Sequence, residues 1–600
     1  MIGWSLKKRR PVVAAYNVFT QSKKSTRKLN QQTWIITRVY RTALSKMGVL
    51  GVDGPYFDLV LLFREIVETA LQTQQAYRMS SLLPRTELNR GYVAMLVINC
   101  WSTALVHSVY KFDATKRRML AVMCDCALDL VTSVGITSVL LAIYYPDFDS
   151  KLSGFPTYKW YEDVWVVHVL SEFQLLLVSS WGDLTLRVVF ALSMLSNMNN
   201  IKRLLSMRAP QRRKSKLNHQ VTAVLPLNPS FSDITDSRTQ SKLDIVLDSE
   251  SQITKIIFLV WGAAILVIHL YAESISELPQ CKMQVKPWVT SQTSCSLLVL
   301  DCYQSELSGS EDEVIAEWSN FDPTTTSRVV IRHCPKLEMP SFVTEFSRLK
   351  VLKIYNSTIT SWEESAALSQ LHHPNLMSLY LVRVNMTNGE LPPGLRGDNF
   401  PQILTDFEFC TTNLRSLPDD FDLKWPQFSS IYLEKCAFTE VPASLARLAP
   451  YDLSLAMNSI SSLPAPLFEG GVGYLHVGST LISELPHLSV PAVSNPLVLR
   501  VDNTNMSFFW DWIDPRIADG ALLTVEHPIL ATNSPYCSDL QRIYNGEQEN
   551  FSAPWREGQS QILSDASVES WPMLRATVSC DEMPNTWYPL DFEDGYSGVK

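Results

Sequence analysis

From Val329 onward the chain repeats itself, and a fixed short period restricts a fold more than any compositional average can. The pattern is two apolar strand positions in alternation, a small or polar turn position and a closing apolar residue. It occurs eight times, as VVIRHCPKL, LKIYNSTI, LYLVRVNM, FEFCTTNL, IYLEKCAF, LSLAMNSI, LHVGSTLI and LRVDNTNM. The first apolar positions are Val329, Leu352, Leu379, Phe407, Ile431, Leu453, Leu475 and Leu499, at intervals of 23, 27, 28, 24, 22, 22 and 24 residues. Most units add a second signal around a proline, as in ELPPGL, SLPDDF, EVPASL, SLPAPL and SELP. Alternation buries one face of each short strand, and units of this size share a core only by stacking.

The turn position holds Cys334, Ser357, Thr412, Cys436, Asn458, Thr480 and Thr504, small or polar groups able to satisfy a neighbouring backbone. Val384 departs from the rule, which predicts an irregular unit there. Taken together, the eight units resemble the leucine-rich-repeat (LRR) family over residues 329–510. The resemblance implies an α/β solenoid, a horseshoe with short parallel strands lining its concave face and the usual ligand surface on that face. On this chain the middle outward column is Val330, Lys353, Tyr380, Glu408, Tyr432, Ser454, His476 and Arg500. The next runs Arg332, Tyr355, Val382, Cys410, Glu434, Ala456, Gly478 and Asp502. Aromatic and charged groups gather on the early and middle strands, and interfaces favour Tyr and Arg. Arg332, Lys353, Tyr355, Tyr380, Glu408, Tyr432 and Glu434 are therefore the candidate ligand-binding residues.

The half preceding the repeats has another character. Residues 1–273 carry 32 Lys and Arg against 20 Asp and Glu; the remainder carries 20 against 40. Apolar runs at Gly91–Tyr110, Met119–Tyr145, Val164–Leu195 and Thr254–Ala272 predict membrane crossings. Tyr56–Tyr77, which contains Arg64, Glu65, Glu68 and Gln72, is either a fifth crossing or an amphipathic helix at the membrane surface. The expected fold class is thus a membrane α-helical bundle of four to five spans followed by the solenoid. Asp125, Asp129, Glu172, Asp183 and Arg187 form either a polar seam through the spans or interfacial and i, i+4 pairs.

These readings divide the chain into a basic tail (1–55), an amphipathic or first membrane segment (56–90), membrane helices (91–200) and a basic loop (201–253). The last span (254–273), a Cys-bearing N-terminal cap (274–328), the repeats (329–510) and a Cys-bearing C-terminal cap and tail (511–600) follow. The first 52 residues hold eleven basic groups and no acid, without a signal-peptide core behind them. Positive charge puts 201–253 in the cytosol and everything after the last span outside, with the plasma membrane as the expected location.

Cysteines and sequons agree with that orientation. Eight of the eleven cysteines follow residue 273. By the LRR resemblance Cys281, Cys295, Cys302, Cys334, Cys537 and Cys580 are candidates for cap disulfides, their pairing left open. Cys410 and Cys436 point to opposite faces of the register and are not expected to bridge. Acceptor sequences for glycosylation occur at Asn356, Asn385, Asn505 and Asn550, all beyond the last span.

No phosphate loop, kinase signature, HExxH motif or nucleophile elbow is present. The expected protein is a receptor-like LRR recognition module, not an enzyme, without cofactor or metal. Its partners are membrane lipid, a protein, peptide or glycan ligand, and a signalling or membrane partner, with no role for nucleic acid. The alternative is an LRR-bearing channel or transporter whose spans form an ion path.

Overall fold

A computed structural model describes residues 57–110, 114–151, 153–177, 181–206, 233–488, 498–518 and 528–598. The basic tail 1–55 and most of the positive cluster in 201–253 lie outside them. The chain forms two compact units. One comprises Met1–Gly154, Leu170–Ile275 and Lys286–Val289; the other comprises Phe155–Val169, Ser276–Val285 and Thr290–Lys600.

The first unit is helical: α1 (Phe57–Leu82), α2 (Thr86–Val109), α3 (Ala114–Leu130), α4 (Ile136–Tyr144), the end of α5 (Asp163–Leu176, whose residues through Val169 belong to the second unit), α6 (Trp181–Ser206) and α7 (Asp233–Glu273). Its apolar core joins Ala76, Met79 and Leu83 of α1 to Val93, Leu96 and Val97 of α2 and to Phe258 and Ile265 of α7. Gly262 lets α7 approach α2 closely, since a Cβ there would stand 2.7 Å from the Trp101 indole nitrogen.

The bundle of four to five spans expected from hydropathy is corrected here. Among the described residues only Lys255–Glu273 is a helix long and apolar enough to cross a membrane. Two of the other apolar runs are interrupted or carry ionic groups. The 164–195 run is two helices, α5 ending at Leu176 and α6 beginning at Trp181. The 119–145 run passes through a π-helical turn at Val131–Gly135. Buried polar pairs tie these helices to each other: Arg64 to Asp125 at 2.6 Å, Gln72 to Asp129 at 3.0 Å, Arg85 to Glu172 at 2.5 Å, and Arg78 to Asp183. Averaged hydropathy dilutes such charges, whereas their burial demands partners.

The second unit is built on one fourteen-stranded sheet. Its strands are β1 (Cys281–Val285), β2 (Thr293–Asp301), β3 (Phe321–Asp322), β4 (Arg328–Arg332), β5 (Leu337–Glu338), β6 (Val351–Ser361) and β7 (Ser378–Met386). They continue with β8 (Asp406–Cys410), β9 (Ser430–Glu434), β10 (Asp452–Ser454), β11 (Tyr474–His476), β12 (Val498–Arg500), β13 (Ile529–Leu530) and β14 (Val578–Ser579). Pairing runs β1-β2-β4-β6-β7-β8-β9-β10-β11-β12-β13-β14, with β3 on β2 and β5 on β6. Among these described strands only the β1–β2 pair is antiparallel. The eight apolar positions that open the repeats form a single register row from Val329 to Leu499, extended by Leu298 before it and by Ile529 and Val578 after it. Their side chains enter one continuous core with the Leu and Phe residues of the returning segments.

Each unit turns at a residue of left-handed conformation: His333, Asn356, Arg383, Thr411, Lys435, Met457, Ser479, Asn503 and Asn533, at φ between 44° and 60°. None is glycine, although this region costs an ordinary residue roughly 1–2 kcal/mol. An inter-repeat hydrogen bond offsets that cost. The amides of Lys435, Met457, Ser479 and Asn503 donate to the carbonyls of Ala456, Gly478, Asp502 and Thr532 at 2.7–3.0 Å. The next residue is the turn position read from sequence, and Asn458 shows why it is polar: its amide donates to the Leu433 and Leu455 carbonyls and its oxygen accepts from the Phe438 amide. At Val384 that role is absent, and β6 and β7 instead continue their ladder through Ile359 and Met386.

Disulfides Cys281–Cys295, Cys302–Cys334 and Cys537–Cys580 close the ends, which accounts for all six cap candidates. Cys410 and Cys436 are free thiols. Cys410 lies with the outward aromatic groups, and Cys436 packs against the core.

Candidate functional site

The middle column predicted from sequence forms one row on the outward face, Val330–Lys353–Tyr380–Glu408–Tyr432–Ser454–His476–Arg500. Strand alternation places these side chains opposite the core. They are nevertheless mostly buried, because two segments of the same unit lie across them. One is 155–169, from before the repeats; the other is the C-terminal segment 584–597, which ends in α8 (Leu590–Ser597).

Charge organises the centre. Lys353 is fully buried, its ammonium 2.9 Å from Asp163 and 2.9 Å from Glu593. Asp163 also pairs with Arg328, itself 1% exposed and lying over the Tyr380 ring. Burial alone would raise the Asp163 carboxyl, but Arg328 and then Lys353 overcome it and hold the group below its ordinary value. Glu593 accepts from the hydroxyls of Tyr588 at 2.8 Å and Ser597 at 2.5 Å.

Around this centre the remaining candidates find partners. Tyr355 donates its hydroxyl to Asp594 at 2.8 Å, and Arg383 grips the same carboxylate with two nitrogens at 2.7 and 2.5 Å. The Arg383 hydrogen bonds hold Asp594 below the usual carboxylate range. Tyr380 donates to Asp406 at 2.8 Å, while its ring and that of Tyr161 pack about Tyr588. Glu408 accepts from the Tyr161 hydroxyl at 3.0 Å; burial, and then the neighbouring Asp406, push it well above the carboxylate range. Tyr432 meets Trp587 edge to face. Glu434 accepts from the backbone amides of Trp587 at 2.8 Å and Tyr588 at 3.0 Å and from the Ser454 hydroxyl at 2.5 Å. Burial raises Glu434, against the pull of those three donors. Arg332 sits at the margin, half-buried and bonded to Asp301 at 2.7 Å.

Toward later strands the contacts become backbone-directed. His476 donates from Nε2 to the Asn585 carbonyl at 3.0 Å while its Nδ1 accepts from the Gly478 amide, the pattern of a neutral ring. Burial, and then Arg500, push this imidazole well below its ordinary value, in keeping with that tautomer. Arg500 donates to the Pro584 carbonyl at 2.7 Å.

All seven candidates therefore occupy one face, six of them within reach of the two overlying segments. Arg328, Arg383, His476 and Arg500 belong with them. His476 and Arg500 stood in the outward column already, but Asp163 and Tyr161 lie in the loop between two apolar runs, where nothing local links them to the repeats. The four acceptor asparagines, Asn356, Asn385, Asn505 and Asn550, are exposed. Asn356 adjoins this face, donating to His333 Nδ1 at 2.9 Å while His333 Nε2 donates to the Ser597 carbonyl at 2.9 Å.

No family model matches the chain, and no curated protein matches it. Among solved structures it is similar to an internalin from Listeria monocytogenes at 18% identity and a TM-score of 0.26, covering 35% of this chain and 56% of that one. The chain thus spans little more than half the internalin's length, and so loose a superposition establishes no shared architecture. The repeat solenoid rests on the sheet register.

Proposed function

We propose that the chain is a receptor-like recognition protein without catalytic activity of its own, held at a membrane, whose repeat unit binds a protein or peptide ligand on its outward face. One observation carries this reading: the face already seats a peptide. Residues 584–597 lie across it through backbone amides on Glu434, backbone carbonyls on His476 and Arg500, and acidic side chains on Lys353 and Arg383. A surface that satisfies both the main chain and the side chains of a segment has the chemistry of peptide recognition.

Export of this unit is supported by its three disulfides, which persist in oxidising compartments, and by its exposed acceptor asparagines. Membrane attachment is supported by Lys255–Glu273, of whose most apolar window only 28% is buried. Ile256, Leu259, Val260, Val267 and Leu270 of that helix are exposed, a surface suited to lipid. Since Asp163 pairs with Lys353, any membrane arrangement must leave 155–169 on the same side as the repeats. The basic segment 201–253 belongs to the cytosolic side.

The test is a peptide-display screen against the full-length protein, counter-screened with Glu434→Lys. Enrichment that the substitution abolishes is the expected result. Enrichment that it leaves untouched places recognition elsewhere and overturns the assignment.

A further inference from the structure

We infer that the external ligand of this face is an acidic, aromatic peptide that replaces residues 586–597, the chain's own C-terminal segment serving as a tethered competitor. The inference rests on the recognition reading above and adds the ligand's chemistry.

A permanent structural plug should leave orphaned groups when removed, because buried charge without a partner is costly. Here the charged groups that face the segment keep a second partner. Lys353 keeps Asp163 at 2.9 Å. Arg500 keeps Asp502 at 3.1 Å. Glu434 keeps the Ser454 hydroxyl at 2.5 Å. Arg383 and Asp594 are each about a third exposed and pass readily into water. The strands themselves are paired to one another and lose no ladder bond when the segment departs.

The segment is also hung for exchange. Cys580 is fixed by its disulfide to Cys537, residues 581–585 are exposed although the Pro584 and Asn585 carbonyls already meet Arg500 and His476, and burial of the segment begins at Thr586. A segment so tethered competes at an effective concentration on the order of millimolar, which sets a threshold that an outside ligand must exceed. Its contacts define the ligand. An aromatic side chain in the Tyr588 place lies between Tyr161 and Tyr380. Two consecutive carboxylates, standing where Glu593 and Asp594 stand, meet Lys353 and Arg383.

The probe is a fluorescein-labelled synthetic peptide of residues 584–597, added to the full-length protein and to a full-length variant, Asp594→Arg with Tyr588→Ala, whose own segment is loosened. Binding to the variant is expected to be at least about 10-fold tighter than to the unaltered protein, and to vanish when Lys353→Gln is added. Equal affinity for both, or none for either, overturns the inference. Hydrogen exchange on the unaltered protein makes the same test without a variant. The Trp587 and Tyr588 amides are expected to exchange through an opening that leaves β8 and β9 protected; exchange only together with those strands overturns it. A display screen on the loosened variant separates the two levels of the account. Enrichment of peptides lacking the aromatic and paired carboxylates overturns the ligand class and leaves recognition standing. No enrichment at all ends both.

Discussion

Substituting Asp163 by Asn and, separately, Glu593 by Gln compares two carboxylates that share one ammonium. In Asp163→Asn the anion between Arg328 and Lys353 disappears. Lys353 retains Glu593 at 2.9 Å, but Arg328, 1% exposed, loses its ion-pair partner and keeps the Tyr380 ring and the field of Glu593. A buried charge left without its counter-ion costs about 3–5 kcal/mol. In Glu593→Gln the ammonium keeps Asp163, and the amide oxygen still accepts from one hydroxyl. The loss is then that of a charge-assisted hydrogen bond, about 1.5–3 kcal/mol. Asp163→Asn should therefore be the more damaging by about 2 kcal/mol. Adding Arg328→Met to it should recover most of the loss, since a buried ion pair exchanged for apolar groups is often neutral. Amide exchange along β6 and β7 of the full-length protein, followed by mass spectrometry, reads these free energies on the strands concerned. A Glu593→Gln penalty equal to or larger than that of Asp163→Asn would refute the assignment of Arg328 to Asp163.

Other consequences are as direct. Glu408 is raised in the folded state, so its contribution is complete below its unfolded value of about 4.3 and is lost as pH rises through the folded value. Glu408→Gln should flatten that decline above about pH 4.3, measured as melting temperature against pH; an unchanged slope contradicts it. Cys537→Ser opens a bridge between residues 43 apart and should cost about 4 kcal/mol in non-reducing melts, with no loss implying that the bond does not form. At the left-handed turn of Ser479, Asn should be tolerated while Val should cost about 1–2 kcal/mol, readable from denaturant midpoints. Glycosidase treatment of intact cells should release carbohydrate from Asn385 and Asn505; a protected, unmodified repeat unit would put it on the other side of the membrane.

The strand register was legible because period and alternation act together: one row of eight apolar residues could be aligned by eye and pairs in that alignment. The left-handed turns were not, because His333, Lys435 and Met457 carry no signal for positive φ and are held there by hydrogen bonds that their amides donate to carbonyls of the next repeat. The ninth turn, at Asn533, was missed because PILATNS contains a single leucine. Hydropathy misread the helical unit for a different reason. Asp125 and Glu172 are few among many apolar neighbours, so averaged hydropathy passes over them and over their partners Arg64 and Arg85, which lie outside the four runs. The outward face was located, but its cover was not. Lys353 and Glu593 are 240 positions apart, and nothing local in DFEDGY announces a lysine that far upstream.

Occupancy of the outward face by the C-terminal segment is tested by placing a photo-reactive benzophenone side chain at Tyr432 of the full-length protein and mapping the adduct by proteolysis. Tyr432 faces Trp587 at 5.2 Å between ring centroids, so an adduct within residues 585–590 of the same chain is predicted. Adducts confined to other proteins, or to other parts of the chain, would show that the C-terminal segment does not occupy the face and would contradict the account.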